Sequence, residues 1–189
     1  MKKRNVFLFI GVCVTLVILL IGVHVIQEEK RQEQIVAYLA ESENFYVKFD
    51  FDNVEKCYDM LDNLNYDTSK RREILDYDKK VYPDAFAYYT AINKLNDSLH
   101  SGSYPSLSKL IENMTIPTQK FELLEINDES MIGQYIKSVK SNPMFSIFNE
   151  EYIYENKYNL DYGLTSWGFA YVIETYTEIL ADEQFPYLQ

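Results

Sequence analysis

The chain has 189 residues, with 29 acidic and 18 basic side chains and a net charge of −11. All of the acidic residues follow residue 27, whereas three of the basic residues precede it. So acidic a surface repels polynucleotide backbones and anionic lipid headgroups, and we expect no nucleic-acid partner. Basic proteins, peptides and uncharged glycans stay open as partners, and so does a charge that only maintains solubility.

An uninterrupted apolar run occupies residues 6–26. As a helix it measures about 31 Å, which matches a hydrocarbon core of about 30 Å. A cleaved signal peptide is disfavoured because the run is long and because Tyr38 stands where the cleavage site at 37–40 needs a small residue. A lipoprotein signal is disfavoured by Val12, which precedes Cys13. We therefore predict an uncleaved, single-pass transmembrane anchor in a cell envelope.

The basic residues on the two sides of this run predict its orientation. Lys2, Lys3 and Arg4 precede the run, and the basic residues that follow it are Lys30 and Arg31. Because positive flanks stay in the cytoplasm, we expect residues 1–5 inside and residues 27–189 outside. A cytoplasmic domain, with the opposite orientation, is the alternative.

Small residues lie on one face of the predicted anchor. Gly11, Thr15, Ile18 and Gly22 share that face at helical spacing. Such a face allows a second helix to approach closely, which predicts weak self-association. The alternative is that Gly and Thr are simply tolerated in membrane helices.

Beyond the anchor, the sequence predicts a helical neck over 27–43 and one folded domain over 44–189. Cys57 is the only cysteine outside the anchor, so no disulfide can form within this domain. Its spacing with Val54, Tyr58 and Leu61 predicts a buried thiol. Alternatively, this thiol joins two chains.

The predicted elements of the domain are mostly helices. Alternating apolar residues over 45–51 predict a short strand, with 121–126 as the other candidate. Asp52 and Glu55 then form a capping-box pattern that predicts a helix to about residue 64. Helical residues resume near Ser69, and Pro83 is expected to open a new helix whose apolar face runs from Phe86 to Leu99.

Further helices are expected towards the carboxyl terminus. A short one covers 105–113, and another is capped by Asn127 or Asp128 and stopped before Pro143. The last is capped by Thr165 or Ser166 and ends before Pro186. Its apolar positions are Phe169, Val172, Ile173, Tyr176, Ile179 and Leu180. The predicted fold is mainly α, a small helical bundle with one or two short strands.

No residue pattern indicates a metal site, a cofactor or catalysis. The chain has two histidines, and His24 lies within the predicted anchor. His100 is expected in the last turn of a helix, where a histidine interacts with the helix dipole. Neighbouring carboxylates such as Glu150 and Glu151 indicate little in so acidic a chain.

Residues 145–176 are rich in aromatic side chains. The candidate binding residues among them are Tyr152, Tyr154, Tyr158, Tyr162 and Trp167. Tyrosines interleaved with acids and amides are typical of protein-binding hot spots and of sugar platforms, and the alternative is that their rings are buried. We predict a non-enzymatic domain that binds a protein partner. The alternative is a domain that binds or hydrolyses an envelope glycan through residues 152–167.

Overall fold

A computed structural model describes residues 2–101, 107–143, 145, 175 and 177–187, and these residues are mainly helical. The helices are α1 (Lys2–Tyr46), α2 (Phe51–Asn63), α3 (Ser69–His100), α4 (Leu107–Glu122) and α5 (Met131–Ser141). Residues 177–181 are helical as well. The mainly α prediction is confirmed, and none of the described residues forms a strand.

The chain divides into two compact units, Met1–Arg72 and Glu73–Gln189, and the division falls within α3. Unit 1 contains α1, α2 and the first residues of α3. Unit 2 contains the rest of α3 and all later elements. The domain boundaries expected at residues 26 and 43 stay predictions.

Helix α1 runs without a break through the predicted anchor and the predicted neck. The carboxyl-terminal part of α1 contains the buried residues Ile35 and Ser42, and α1 packs against α2. Within the described part of the chain, no helix combines the length and the apolar character that crossing a membrane requires. The side chains of residues 6–14 and 17, which belong to the predicted span, lie outside the described residues.

The predicted strand over 45–51 is wrong. Phe45 and Tyr46 complete α1, and Phe49 turns the chain at a positive φ of 56°. Asp50 then caps α2 by accepting a hydrogen bond from the Asn53 N–H at 3.3 Å. The helix ends and the turn between them give backbone N–H groups of this segment hydrogen-bond partners. An isolated strand would leave its backbone N–H and C=O groups without such partners.

The second predicted strand, 121–126, is also wrong. Phe121 and Glu122 complete α4, and residues 124–127 form an irregular loop. Phe121 is fully buried, so its apolar character reflects core packing on a helix.

The buried face of α2 is the predicted one, but its cap is not. Val54, Cys57, Tyr58 and Leu61 are all buried. Asp50 occupies the cap position that the sequence pattern assigned to Asp52. Desolvation, with a smaller contribution from the Glu41 carboxylate, raises the pKa of the buried Cys57 thiol. Cys57 is 6% exposed, so its predicted burial is confirmed.

Pro83 lies inside α3, so the predicted new helix at this residue is wrong. Proline removes one backbone hydrogen bond, but the buried face continues across it at helical spacing. That face consists of Leu75, Asp78, Val81, Ala85, Tyr88, Ile92, Leu95 and Leu99. Packing of this long face holds the helix together where the local sequence favours an interruption.

The later helices also differ from the prediction at their ends. Helix α4 extends to Glu122 instead of residue 113, with Pro117 inside it. Ser130 caps α5, so neither Asn127 nor Asp128 does. The predicted α5 face is confirmed, and its buried residues are Ile132, Gly133, Tyr135, Ile136 and Val139.

Only part of the predicted last helix lies within the described residues. There Leu180 is buried, as predicted, whereas Ile179 is 39% exposed and Thr177 is buried instead. The predicted caps Thr165 and Ser166 lie outside the described residues, and so do the apolar positions Phe169, Val172, Ile173 and Tyr176.

Aromatic rings form the core of unit 2. Tyr88 packs on Phe121 with ring centroids 4.4 Å apart, and Tyr135 packs on Phe185 at 4.9 Å. Phe145 contacts both Tyr88 and Phe121. The hydroxyls of Tyr88 and Tyr135 are buried and have no hydrogen-bond partner among the described residues. Desolvation raises the pKa of both phenols far above the ordinary value.

The cap of α2 can be tested with neighbouring aspartates. Replacing Asp50 with Ala removes the side-chain bond to the Asn53 N–H, and a lost cap costs about 1 kcal/mol. We expect amide exchange at Asn53 and Val54 to accelerate about fivefold in D50A. The matched control is D52A, which keeps the cap and should change exchange less. Equal acceleration in the two variants would contradict the assignment of Asp50.

The buried phenols predict a specific alkaline response. Burial raises the pKa of Tyr88 and Tyr135 in the folded chain above the unfolded value of about 10. Their contribution to folding stability is therefore fully present below about pH 10 and is lost as the pH rises further. The double variant Y88F/Y135F lacks both titrating groups. We expect its melting temperature to fall less than that of the parent chain between pH 9 and pH 11, as followed by circular dichroism. Parallel decreases in the two proteins would show that these phenols ionise without unfolding.

Candidate protein-binding surface

The structure leaves most of the predicted binding residues undescribed. Tyr152, Tyr154, Tyr158, Tyr162 and Trp167 lie outside the described residues, so the predicted tyrosine-rich surface stays a prediction. The proposed helix-pairing residues Gly11, Thr15 and Gly22 all belong to α1. Thr15 and Gly22 are exposed, and a Cβ atom added to Gly22 would meet no other atom within 4 Å.

The described side chains form no cluster of metal ligands. Over the described ranges, no group of three or more His, Cys, Asp or Glu side chains is close enough to hold a metal ion. His100 is exposed in the last turn of α3, and its Nδ1 lies 2.9 Å from the carbonyl oxygen of Asn96. This is the position that the sequence predicts for His100.

Unit 2 exposes several large apolar side chains between the end of α4 and the start of α5. Leu123 is 83% exposed, Ile126 is 47% exposed and Met131 is 48% exposed. They belong to the segment from the end of α4 to the first residue of α5. Ile116, two turns before Leu123, is 65% exposed. We call the exposed side chains of Leu123, Ile126 and Met131 the loop surface.

Polar contacts fix the backbone beneath the loop surface. The Tyr77 hydroxyl donates to the Glu125 carbonyl at 2.6 Å. The Lys140 ammonium donates to the carbonyls of Glu122 and Leu124 at 2.7 and 2.6 Å. Burial lowers the pKa of Lys140, as expected for an ammonium group that exchanges water for carbonyl oxygens. The loop thus bonds to α3 on one side and to α5 on the other.

Ser130 fixes the other end of the loop. Its hydroxyl donates to the buried Asp78 carboxylate on α3 and accepts from the Gly133 N–H at 2.9 Å. One side chain therefore caps α5 and also supplies one hydrogen bond to a buried carboxylate, a group that is costly to bury without partners. Asp78 and Ser130 are almost completely buried.

Gly133 allows the loop to pack directly on α5. A Cβ atom at this position would lie 2.0 Å from the carbonyl oxygen of Asn127. That carbonyl accepts from the Ser130 N–H at 3.2 Å, so it cannot rotate away without breaking the turn. The close approach therefore requires glycine.

The sequence of the loop is rich in acidic side chains. Residues 121–130 contain Glu122, Glu125, Asp128 and Glu129 and no basic residue. Lys137 pairs with Asp128 at 2.8 Å, and Lys80 lies 3.6 Å from Glu125. Both pairs are largely exposed and contribute little to stability. The immediate sequence around Leu123 and Ile126 is thus apolar and negative.

A polar recess adjoins the loop. It has a volume of about 620 Å³ and is lined by Asp128, Gln134, Lys137, Ser138 and Ser141. Gln134 donates to the Asp128 carbonyl at 2.9 Å, and Ser138 donates to Glu183 at 2.6 Å. The recess therefore offers polar atoms beside the apolar side chains, which is the arrangement of an interface rim.

Sequence reasoning missed the loop surface because it interpreted Phe121–Ile126 as a strand. The apolar pair Leu123 and Leu124, followed by Ile126, resembled buried positions. The available signal was the cluster of polar residues at 127–130, which is typical of a loop and a helix cap. Comparison with known proteins gives no match to the chain among family models, curated proteins or solved structures.

The close approach at Gly133 gives a direct test of the loop geometry. The substitution G133A places a methyl group against the Asn127 carbonyl, and overpacking of this kind costs about 1–3 kcal/mol. We expect a lower melting temperature and faster amide exchange at Ser130 and Gln134. The control G22A adds the same methyl group within a helix where no atom lies within 4 Å, and it should not lower the melting temperature. Equal tolerance of G133A and G22A would contradict the close approach between the Asn127 carbonyl and Gly133.

Proposed function

We propose that this chain is a single-pass membrane protein whose acidic helical part binds a partner protein outside the cytoplasm. The apolar run 6–26 supports the anchor. Where the side chains of this run are described, the large apolar ones are about half exposed or more, and they run from Leu16 to Ile26. A helix that is apolar all round favours lipid over water, since leaving these side chains in water is costly. Lys2, Lys3 and Arg4 favour a cytoplasmic amino terminus.

The loop surface supports the binding role. Its apolar side chains face solvent although the backbone beneath them is fixed by Tyr77, Lys140 and Ser130. Mobile loops lose conformational entropy when they bind, whereas a fixed loop loses little. Exposed apolar groups on a rigid, polar-rimmed surface are typical of protein interaction sites. The exposure of Leu123 on this fixed loop is the observation that carries the proposal.

The acidic rim indicates the chemistry of the partner. With Glu122, Glu125, Asp128 and Glu129 around Leu123 and Ile126, the complementary surface has an apolar centre and a basic rim. Opposite charges accelerate association and exclude partners of the wrong sign. The proposed partner is therefore a basic protein with an exposed apolar patch.

The test is capture of the full-length protein from mildly crosslinked membranes of producing cells, followed by reconstitution with the purified partner. We expect a basic protein to be recovered with the parent chain and lost with L123S/I126S. The control V47S/M60S changes two exposed apolar residues of unit 1, which are 41% and 45% exposed, and should retain the partner. Binding of the purified partner should weaken as salt screens the acidic rim.

Other outcomes have distinct meanings. Retention by L123S/I126S together with loss from Y152A/Y154A/Y158A would place binding on the predicted tyrosine-rich segment. Recovery of no protein above background would contradict the proposal and leave the glycan alternative to be tested.

A further inference from the structure

Helices α1 and α2 form an antiparallel pair within unit 1. Helix α2 begins five residues after the end of α1, and its far end returns to Arg31. The Arg31 guanidinium donates through Nε to the carbonyl of Leu64 at 2.7 Å. The turn that joins α2 to α3 therefore lies beside Arg31, a residue close to the predicted end of the membrane span.

The position of Arg31 along α1 sets the depth of this turn. Arg31 follows Ile26 by five residues, or about 7.5 Å of helix. Helical side chains point towards the amino terminus, and Arg31 does so, since its Nη1 lies 2.6 Å from the Glu28 carboxylate. If residue 26 marks the end of the hydrocarbon core, Leu64 lies no more than about 8 Å beyond that boundary. The headgroup layer on each side of a bilayer is about 5–7 Å thick, so this depth is close to that of the headgroups.

The turn itself suits a membrane surface. Asn65 adopts a left-handed conformation with φ of 55°, and its N–H donates to the Asp62 carbonyl at 2.9 Å. The Tyr66 N–H donates to the Leu61 carbonyl at 3.0 Å, which completes a Schellman motif. These bonds and that from Arg31 pair the N–H groups of Asn65 and Tyr66 and the carbonyl of Leu64 within the protein. Tyr66 is half-buried and belongs to a residue type enriched at membrane interfaces.

We propose that the α2–α3 turn, residues 63–67, lies in the lipid headgroup layer; this inference rests on the proposed membrane anchor. The turn is a second membrane contact beside the span, and it fixes unit 1 at the bilayer surface. The Arg72 guanidinium lies 2.7 Å from both Asp59 and Asp62, so acids neutralise the charge of this nearby cation. The contact is therefore with zwitterionic headgroups and does not select anionic lipid.

Two positions on α2 provide a matched test. Asn63 and Asp52 are both exposed and lie eleven residues apart, which places them on one face of the helix about 16 Å apart along its axis. Each is replaced by Cys in the full chain carrying C13A and C57A, labelled with one fluorophore and inserted into phosphatidylcholine vesicles. A third variant, V25C, carries the label within the predicted span. Circular dichroism checks that helix content is unchanged.

Quenching by a lipid with a spin-labelled headgroup distinguishes the outcomes. We expect strong quenching at positions 63 and 25 and none at position 52. Quenching at 25 with equal, weak signals at 63 and 52 would overturn the turn contact and leave the anchor intact. Absence of quenching at 25 would overturn the anchor and, with it, this inference. Stronger quenching at 63 only when anionic lipid is added would contradict the zwitterionic contact.

Discussion

The hydroxyl of Ser130 is the contact on which the loop surface depends. It joins α3, through Asp78, to the first turn of α5, through the Gly133 N–H. A buried carboxylate is unfavourable without partners, and an uncapped helix end leaves unsatisfied N–H groups. A single hydroxyl contributes to both requirements. Since Ser130 follows the loop and immediately precedes Met131, these bonds fix where the loop ends and α5 begins.

The aromatic core positions the remaining parts of this surface. Phe121 is buried against Tyr88 and Tyr135, and it stands two residues before Leu123. The chain thus passes from a fully buried ring to a strongly exposed leucine over half a helical turn. Residues two positions apart near a helix end face nearly opposite sides, so the burial of Phe121 directs Leu123 away from the core. The aromatic packing before the loop and the Ser130 contacts after it hold the two ends of this segment.

Periodicity predicted the parts of the fold that depend on local burial. The faces of α2 and α5 follow from apolar spacing alone, since each helix covers one side of a core. Helix ends could not be predicted in the same way. Asp50 and Asp52 are both plausible caps, and the choice depends on the turn at Phe49. Ser130 competes with Asn127 and Asp128, and a partner 52 residues away favours it.

Long-range packing also explains the remaining errors. Pro83 is a local helix breaker, but a buried face that extends from Leu75 to Leu99 outweighs one lost hydrogen bond. The contact between Tyr77 and Glu125 joins residues 48 positions apart, and no local pattern indicates it. The candidate surface therefore could not be predicted from the sequence: exposed leucine and isoleucine look like core residues until the elements that exclude them are placed.

The proposed anchor and the loop surface are linked energetically. Full burial of a Leu, Ile or Met side chain contributes about 1.5–3 kcal/mol, and the three side chains of the loop surface are already partly covered. Association costs about 4–15 kcal/mol in lost freedom. In free solution this surface would bind weakly. Confinement of both proteins to one membrane raises the effective concentration to roughly the millimolar range, which is enough for weak contacts to persist. If the domain is tethered as proposed, a small apolar surface therefore favours a partner held in the same membrane over one that diffuses freely.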